Sequence, residues 1–253
     1  NVSASAGMAG IHYDNSNPGS FSIQGAKGNN DDQADNWLGT TTEPTISWDT
    51  SSDDTNVTYT VSIKDGGAFM CATPINTTAT TYNFSGCNLT HGTTYDIFIT
   101  STDMVLHATT ASNDGFSFTV DTDYPGAANV SGVTGGADST TDGWLTVDTD
   151  PVANWSDTTG EDEYRVSILN NAESAEICAE QTVAANSTSY TFSGCALTDH
   201  TNYKLKVVAC DAALNCTEAT GSPYPFITAF NLDRFQVDLM PASDPISDVS
   251  FSL

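Results

Sequence analysis

The sequence predicts an all-β protein built from two tandem antiparallel β-sandwiches, with a strand-like extension at each end. Three observations support this fold class. One block of sequence occurs twice, with its matched positions 105 to 108 residues apart. Within each copy, apolar and polar residues alternate over short runs, which is the pattern of half-buried strands. No long run of the chain has the apolar spacing of an amphipathic helix.

The repeat is clearest around one cysteine and one tyrosine. YNFSGCNLTHGTTY at residues 82–95 returns as YTFSGCALTDHTNY at residues 190–203. Pro18 and Pro125 occupy equivalent positions and mark the two starts. Tandem duplication of one domain therefore divides the chain into four parts. They are an N-terminal extension (residues 1–17), a first sandwich (18–124), a second sandwich (125–229) and a C-terminal extension (230–253).

Five runs of the first copy carry an apolar side chain at every second position. They are Ile46 and Trp48; Tyr59, Val61 and Ile63; Tyr82 and Phe84; Tyr95, Ile97 and Ile99; and Phe116, Phe118 and Val120. The positions between them are mostly small or polar. Runs of this kind predict roughly seven strands in about 105 residues, the number found in a sandwich of two antiparallel sheets.

Three motifs occur in both copies: a Pro-x-x-x-Trp strand, a Tyr-x-Val-x-Ile strand, and a Leu-x-x-x-x-x-Tyr corner before the penultimate strand. Together they resemble the fibronectin type III-like modules of prokaryotic cell-surface proteins, over residues 18–124 and 125–229. The resemblance implies that Tyr95 and Tyr203 form tyrosine corners, whose hydroxyls bond back to nearby backbone. The cysteines depart from the ordinary module. The chain also lacks the Arg-Gly-Asp sequence of the family's integrin ligands.

The six cysteines allow fifteen pairings, which the duplication narrows. Two cysteines occupy equivalent places in each copy, so each pair is expected to close within its own repeat. The predicted disulfides join Cys71 to Cys87, Cys178 to Cys195, and Cys210 to Cys216. A zinc site is disfavoured because the chain has no Cys-x-x-Cys and no suitably spaced histidine. Disulfides predict an oxidising, extracellular compartment.

The charge of the chain excludes several partners. Its 32 acidic and six basic residues give a formal net charge of −26, which repels nucleic-acid phosphates and anionic lipid. The sequence contains no apolar run long enough to predict a membrane span. It also contains no catalytic sequence motif. The four histidines, His12, His91, His107 and His200, are interpreted as surface residues.

Two kinds of polar site remain as predictions. Exposed glycosylation sequons are expected at Asn56, Asn76, Asn88, Asn129 and Asn186, whereas Asn154 is a poor candidate because it lies beside Trp155 in a predicted strand. No cofactor is required, but calcium is a candidate ligand at the junction of the repeats. Its expected carboxylate ligands are Asp121, Asp123, Asp148 and Asp150.

The C-terminal extension contains two short alternating segments. Their apolar residues are Phe235, Val237 and Leu239, then Val249, Phe251 and Leu253. A strand with one apolar face must bury that face. The segments therefore either fold back on the second sandwich, belong to a truncated further module, or are donated to a neighbouring subunit as in pilus-like polymers.

These features predict a non-enzymatic extracellular structural or adhesive protein of the cell surface. Within that class, the strand-like ends favour a subunit that self-associates into a filament, pilus-like fibre or sheath, rather than a monomeric adhesin stalk. The alternative is a carbohydrate-binding accessory or spacer module of a secreted polysaccharide-degrading enzyme. Exposed aromatic residues would then bind a surface glycan. The placement of Trp37 and Trp144 tests this alternative.

Overall fold

The computed structural model describes residues 14–28, 34–39, 41–135, 141–146, 150–195 and 197–230. These residues form only strands and the loops between them, so the all-β prediction is confirmed. Within them we find no helix with the length and apolar character needed to cross a lipid bilayer. The six apolar residues predicted as subunit contacts in the C-terminal extension lie outside the described residues, as does His12.

The described residues of the first sandwich form nine strands. They are β1 (Ile23–Lys27), β2 (Trp37–Gly39), β3 (Thr45–Trp48), β4 (Thr58–Asp65), β5 (Ala68–Thr77), β6 (Thr81–Asn83), β7 (Thr94–Thr102), β8 (Ala108–Thr110) and β9 (Phe116–Asp121). One sheet has the order β1-β3-β6, and the other has the order β2-β9-β7-β4-β5 with β8 paired to β7. All pairs are antiparallel except β2 with β9.

The second sandwich repeats this arrangement. Its strands are β10 (Val130–Thr134), β11 (Trp144–Leu145), β12 (Val152–Trp155), β13 (Glu163–Asn170), β14 (Glu176–Ala184), β15 (Ser189–Thr191), β16 (Asn202–Cys210), β17 (Cys216–Glu218) and β18 (Tyr224–Thr228). The sheet orders are β10-β12-β15 and β11-β18-β16-β13-β14, with β17 paired to β16. The predicted boundary at residues 124 and 125 lies in the connection between β9 and β10.

Where the structure describes them, the two copies have nine strands each rather than about seven, because two strands of each copy are too short to show alternation. The strands β2 and β11 run parallel to the last strand of their sandwich, and β8 and β17 form small hairpins with β7 and β16. Each has only two or three residues. An alternation of side chains cannot be recognised over so short a run.

The apolar positions of the alternating runs form one core in each sandwich, as predicted. Val61, Ile97 and Ile99 are fully buried in the first core, whereas Tyr82 and Phe116 are only partly buried at its edge. A tryptophan packs against a tyrosine in both cores. The ring centroids lie 5.5 Å apart for Trp48 and Tyr59 in the first core. The equivalent rings, Trp155 and Tyr164, lie 5.3 Å apart in the second. Contacts of this kind add to the gain from burying the rings.

The tyrosine corner is present in both copies. The Tyr95 ring is buried and its hydroxyl accepts a hydrogen bond from the Thr90 backbone N–H at 2.9 Å. Tyr203 accepts the equivalent bond from the Thr198 N–H, also at 2.9 Å. Each bond ties the loop that precedes β7 or β16 to the strand itself. The corner therefore fixes where the chain enters the larger sheet.

We expect Tyr95→Phe and Tyr203→Phe each to lower the free energy of unfolding by about 1–2 kcal/mol, because a backbone N–H then loses its acceptor. Urea denaturation measures the loss. Tyr124→Phe is the matched control, since the Tyr124 ring is exposed and its hydroxyl should contribute less than about 0.5 kcal/mol. Corner variants as stable as the control would contradict this role.

Candidate functional site

Three disulfides close local segments of the chain, with the pairing that the duplication predicts. Cys71 bonds to Cys87 across 16 residues and Cys178 bonds to Cys195 across 17 residues. Both of these bonds connect the edge of the larger sheet to the segment that follows the last strand of the smaller sheet. A disulfide that closes a loop of this size stabilises a fold by roughly 3 kcal/mol in the chain-entropy model. The third bond, Cys210 to Cys216, closes the hairpin between β16 and β17.

The loop inside this third disulfide is built around one carboxylate. We call residues 211–215 the docked loop. Asp211 Oδ1 accepts hydrogen bonds from the backbone N–H groups of Ala213 and Asn215, each at 2.9 Å. Its Oδ2 accepts a third bond from the Asn215 side-chain amide, also at 2.9 Å. Both side chains are buried, so the bonds replace the water that these polar groups lose.

The first sandwich has the same loop at the equivalent position, which we call the free loop (residues 103–107). Asp103 Oδ1 accepts hydrogen bonds from the backbone N–H groups of Val105, at 2.9 Å, and His107, at 2.8 Å. The His107 ring Nδ1 lies 2.9 Å from Asp103 Oδ2 and takes the place of the Asn215 amide. The same loop structure thus forms from Asp-x-x-x-His in the first sandwich and from Asp-x-x-x-Asn in the second. This pair of loops was not predicted from the sequence.

The docked loop contacts the end of the first sandwich and forms the joint between the two copies. The Asn215 side-chain amide donates a hydrogen bond to the backbone carbonyl of Asp121, the last residue of β9, at 3.0 Å. The two backbones also approach closely beside it. A Cβ atom added to Gly39 would lie 1.9 Å from the Ala213 carbonyl oxygen. Only glycine permits this approach, so Gly39 is a structural requirement of the joint.

The joint places negative charges near one another. Burial raises the pKa of Asp211 above its ordinary value of 3.8, and the nearby charge of Asp121 raises it further. The contribution of Asp211 to folding is therefore fully present below that ordinary pKa and is lost as the pH rises through the raised value. The hydrogen bonds from Ala213 and Asn215 act in the opposite direction and limit the loss.

One group of side chains in the described residues has the composition of a metal site. A carboxylate oxygen of Asp14, a carboxylate oxygen of Asp103 and a ring nitrogen of His107 all lie within 4.8 Å of one another. A carboxylate and imidazole set of this kind suits zinc. In the second sandwich, however, an amide occupies the histidine position and makes the same contact with its aspartate. Construction of the loop therefore accounts for the contact between His107 and Asp103.

The described residues among those predicted to bind calcium contact other groups of the protein. The carboxylates of Asp121 and Asp123 lie 3.4 Å and 3.3 Å from the two ring nitrogens of His91. Asp150 Oδ1 faces the backbone N–H of Gly194 at 3.4 Å, and Asp148 lies outside the described residues. Calcium at the junction stays a prediction. The part of Asp121 that holds the joint is its carbonyl and not its carboxylate.

The predicted glycosylation sites are accessible. The side chains that the structure places at the surface are Asn56, Asn76, Asn88, Asn129 and Asn186. Asn154 is partly buried, and its amide donates to the Thr134 hydroxyl at 2.9 Å, in agreement with its interpretation as a poor site. The two tryptophans of uncertain placement lie in the short strands β2 and β11. Trp144 is half exposed, whereas Trp37 is more covered.

We expect His107→Asn to keep the stability of the parent chain to within about 0.5 kcal/mol, because the amide at position 215 donates the equivalent hydrogen bond to Asp211. His107→Ala should lower the free energy of unfolding by about 1–3 kcal/mol, because the buried Asp103 carboxylate then loses a donor. Chemical denaturation measures both values. If His107→Asn were as unstable as His107→Ala, the imidazole would have a role that an amide cannot perform, such as coordination of zinc.

Comparisons with known proteins support the fold. No family model matches the sequence, and no curated protein sequence is significantly similar to it. The chain is similar in structure to the FN1–FN3 domains of chicken CNTN1, with 14% identity, a TM-score of 0.56, and coverage of 84% of this chain and 66% of the other. It is also similar to fibronectin(III)-like modules of Clostridium thermocellum CbhA, with 12% identity, a TM-score of 0.51, and coverage of 83% and 94%. The two sandwiches therefore have the fold of fibronectin type III-like modules in tandem.

Proposed function

We propose that this protein is a non-enzymatic, extracellular structural or adhesive protein of the cell surface, and a subunit that associates with further copies of itself. The observation that carries the proposal is the joint between the sandwiches. A disulfide-closed loop, a side-chain bond to the Asp121 carbonyl and the close approach at Gly39 connect the two modules. A connection of this kind transmits force from one module to the next.

The surface and the disulfides support an extracellular role. Three disulfides resist unfolding under load and form in oxidising compartments. The described residues show exposed sequons on both sandwiches, where attached glycans would protect the chain from proteolysis. The net charge of −26 keeps such a surface soluble.

The C-terminal extension supplies a further element of the proposal. Its sequence continues from Phe230, beside the end of the second sandwich, and carries two alternating apolar segments. We propose that a neighbouring subunit receives the second segment, with Val249, Phe251 and Leu253, as an added strand. Strand addition provides main-chain hydrogen bonds for affinity and pockets for alternate side chains for specificity.

We expect the chain of residues 1–253 to assemble into filaments or sheets, and deletion of residues 241–253 to abolish or shorten them, because the donated strand is then missing. Electron microscopy of native and recombinant protein checks this result. Ser250→Ala is the matched control, since it changes the same segment at a polar position. Unchanged assembly after the deletion would contradict strand donation. Single particles in the native material would contradict self-association altogether.

A second candidate function is a carbohydrate-binding or spacer module of a secreted polysaccharide-degrading enzyme. The observation that favours it is the exposure of the Trp144 side chain, of which 50% is accessible at the edge of the second sandwich. An exposed indole can stack on the apolar face of a sugar ring. The equivalent Trp37 is more covered, so the two copies differ in this respect.

We expect a glycan array probed with the parent chain to show no specific binding, because one half-exposed indole offers a small platform. Trp144→Ala and Trp37→Ala form a matched pair for any signal that appears. Binding that is lost with Trp144→Ala and retained with Trp37→Ala would establish the second candidate in place of the first.

A further inference from the structure

We infer that the free loop (residues 103–107) is the surface through which one copy of this protein docks on the end of the second sandwich of another copy. Successive copies would then join head to tail. The inference rests on the proposed function and names the contact that self-association would use. It takes the joint within the chain as the pattern for the contact between chains.

The free loop and the docked loop have the same internal structure. In both, the aspartate accepts hydrogen bonds from two backbone N–H groups and one side chain. In both, the backbone N–H of the aspartate donates to the carbonyl of the fifth residue, at 3.0 Å for Asp103 and 3.1 Å for Asp211. The free loop is therefore preorganised in the form that docks in the second sandwich.

The tips of the two loops differ in their exposure to solvent. In the docked loop, Ala213 is 4% exposed because it lies against the first sandwich. In the free loop, Met104, Val105 and Leu106 are 71%, 49% and 81% exposed. Three consecutive apolar side chains at the tip of a rigid loop are costly to hold in water. Clusters of this kind mark interaction surfaces.

Leu106 has an unusual backbone conformation. Its φ is 71°, in the left-handed region that favours glycine and asparagine, and the equivalent Leu214 has a φ of 57°. A leucine in this conformation is strained. Leu214 is partly buried in its position at the joint. Leu106 is 81% exposed, and we assign its side chain to the contact with another copy.

The second sandwich carries an end equivalent to the one that receives the docked loop. In the first sandwich, the His91 ring accepts a hydrogen bond from the Thr122 N–H at 3.1 Å. In the second, the Asp199 carboxylate accepts the equivalent bond from the Phe230 N–H at 2.7 Å. Ala229 follows β18 at the position equivalent to Asp121, the last residue of β9, and we assign its backbone carbonyl as the acceptor for the free loop of the next copy.

The contact between copies must be wider than the joint within the chain. Thr146 stands where the first sandwich has Gly39, and Val105 stands where the docked loop has Ala213. A side chain at position 146 rules out the close backbone approach that Gly39 permits, since a Cβ atom added to Gly39 would lie 1.9 Å from the Ala213 carbonyl oxygen. Met104 and Val105 are larger than Ala212 and Ala213, their counterparts in the docked loop, and supply the volume that fills this added space.

The two surfaces lie at opposite ends of a sandwich. The start of β7 pairs with the end of β9 at the receiving end, through Thr94 and Thr119. The other end of β7, at Thr102, leads directly into the free loop. A loop at one end that binds a different surface at the other end makes a heterologous contact, which does not close on itself unless a ring forms. Copies joined in this way form a chain.

Leu106→Asp tests the inference, because its exposed side chain should leave the fold intact. We expect sedimentation velocity to show concentration-dependent oligomers for the parent chain and association at least about tenfold weaker for Leu106→Asp, as for a central apolar contact. The melting temperature should not change. Ala212→Asp, at an exposed position of the docked loop, is the matched control and should associate like the parent. A parent chain that remains monomeric, or a Leu106→Asp variant that associates like the parent, would overturn the inference.

A mixing experiment tests the direction of the contact. Thr146→Arg should block the receiving end and leave the free loop intact, whereas Leu106→Asp does the reverse. Each variant alone should associate at least about tenfold more weakly than the parent chain, and an equimolar mixture should recover association through the one intact pair of surfaces. If the mixture associates no better than the single variants, or Thr146→Arg alone associates like the parent chain, head-to-tail docking is wrong. Filaments that survive Leu106→Asp but not the C-terminal deletion would overturn this inference and retain the proposed function.

Discussion

The arrangement of the two sandwiches depends on how one buried carboxylate is satisfied. Asp211 turns three nearby donors inward, and this shapes a loop whose tip is formed by backbone and small side chains. The Asn215 amide has two hydrogens, so it can bond to Asp211 and to the carbonyl of Asp121 from the same nitrogen. A single polar side chain therefore connects the internal order of the loop to the position of the neighbouring module.

The two copies maintain the same loop with different support. In the second sandwich, the disulfide between Cys210 and Cys216 closes the base of the loop, and an asparagine completes it. In the first, Thr102 and Ala108 occupy the cysteine positions and a histidine completes the loop. Duplication followed by such divergence leaves one loop committed to the joint and the other exposed. This difference makes the two ends of the protein unlike each other, which self-association in one direction requires.

The sequence was sufficient to predict the sandwiches, their cores and the cysteine pairs, because alternation and duplication report directly on strand faces and on equivalent positions. It did not predict β2 and β11, whose pairing comes from backbone bonds over two or three residues. Nor did it predict the joint. The acidic side chains at the junction predicted a calcium site. The joint instead uses the backbone carbonyl of Asp121 and the absence of a side chain at Gly39. The recurrence of an aspartate four residues before His107 and Asn215 was a readable signal for the loops.

Backbone ¹⁵N relaxation measured on the two-sandwich chain tests the central claim most directly, with Gly39→Ala beside it and Thr146→Ala as the control at the equivalent position of the second sandwich. Docking of the loop against Gly39 requires both sandwiches to tumble with one rotational correlation time in the parent and in the control. A methyl group at position 39 should separate them, so that each sandwich of Gly39→Ala tumbles faster and independently. Independent tumbling of the two sandwiches in the parent chain, or a single correlation time in Gly39→Ala, would contradict the account.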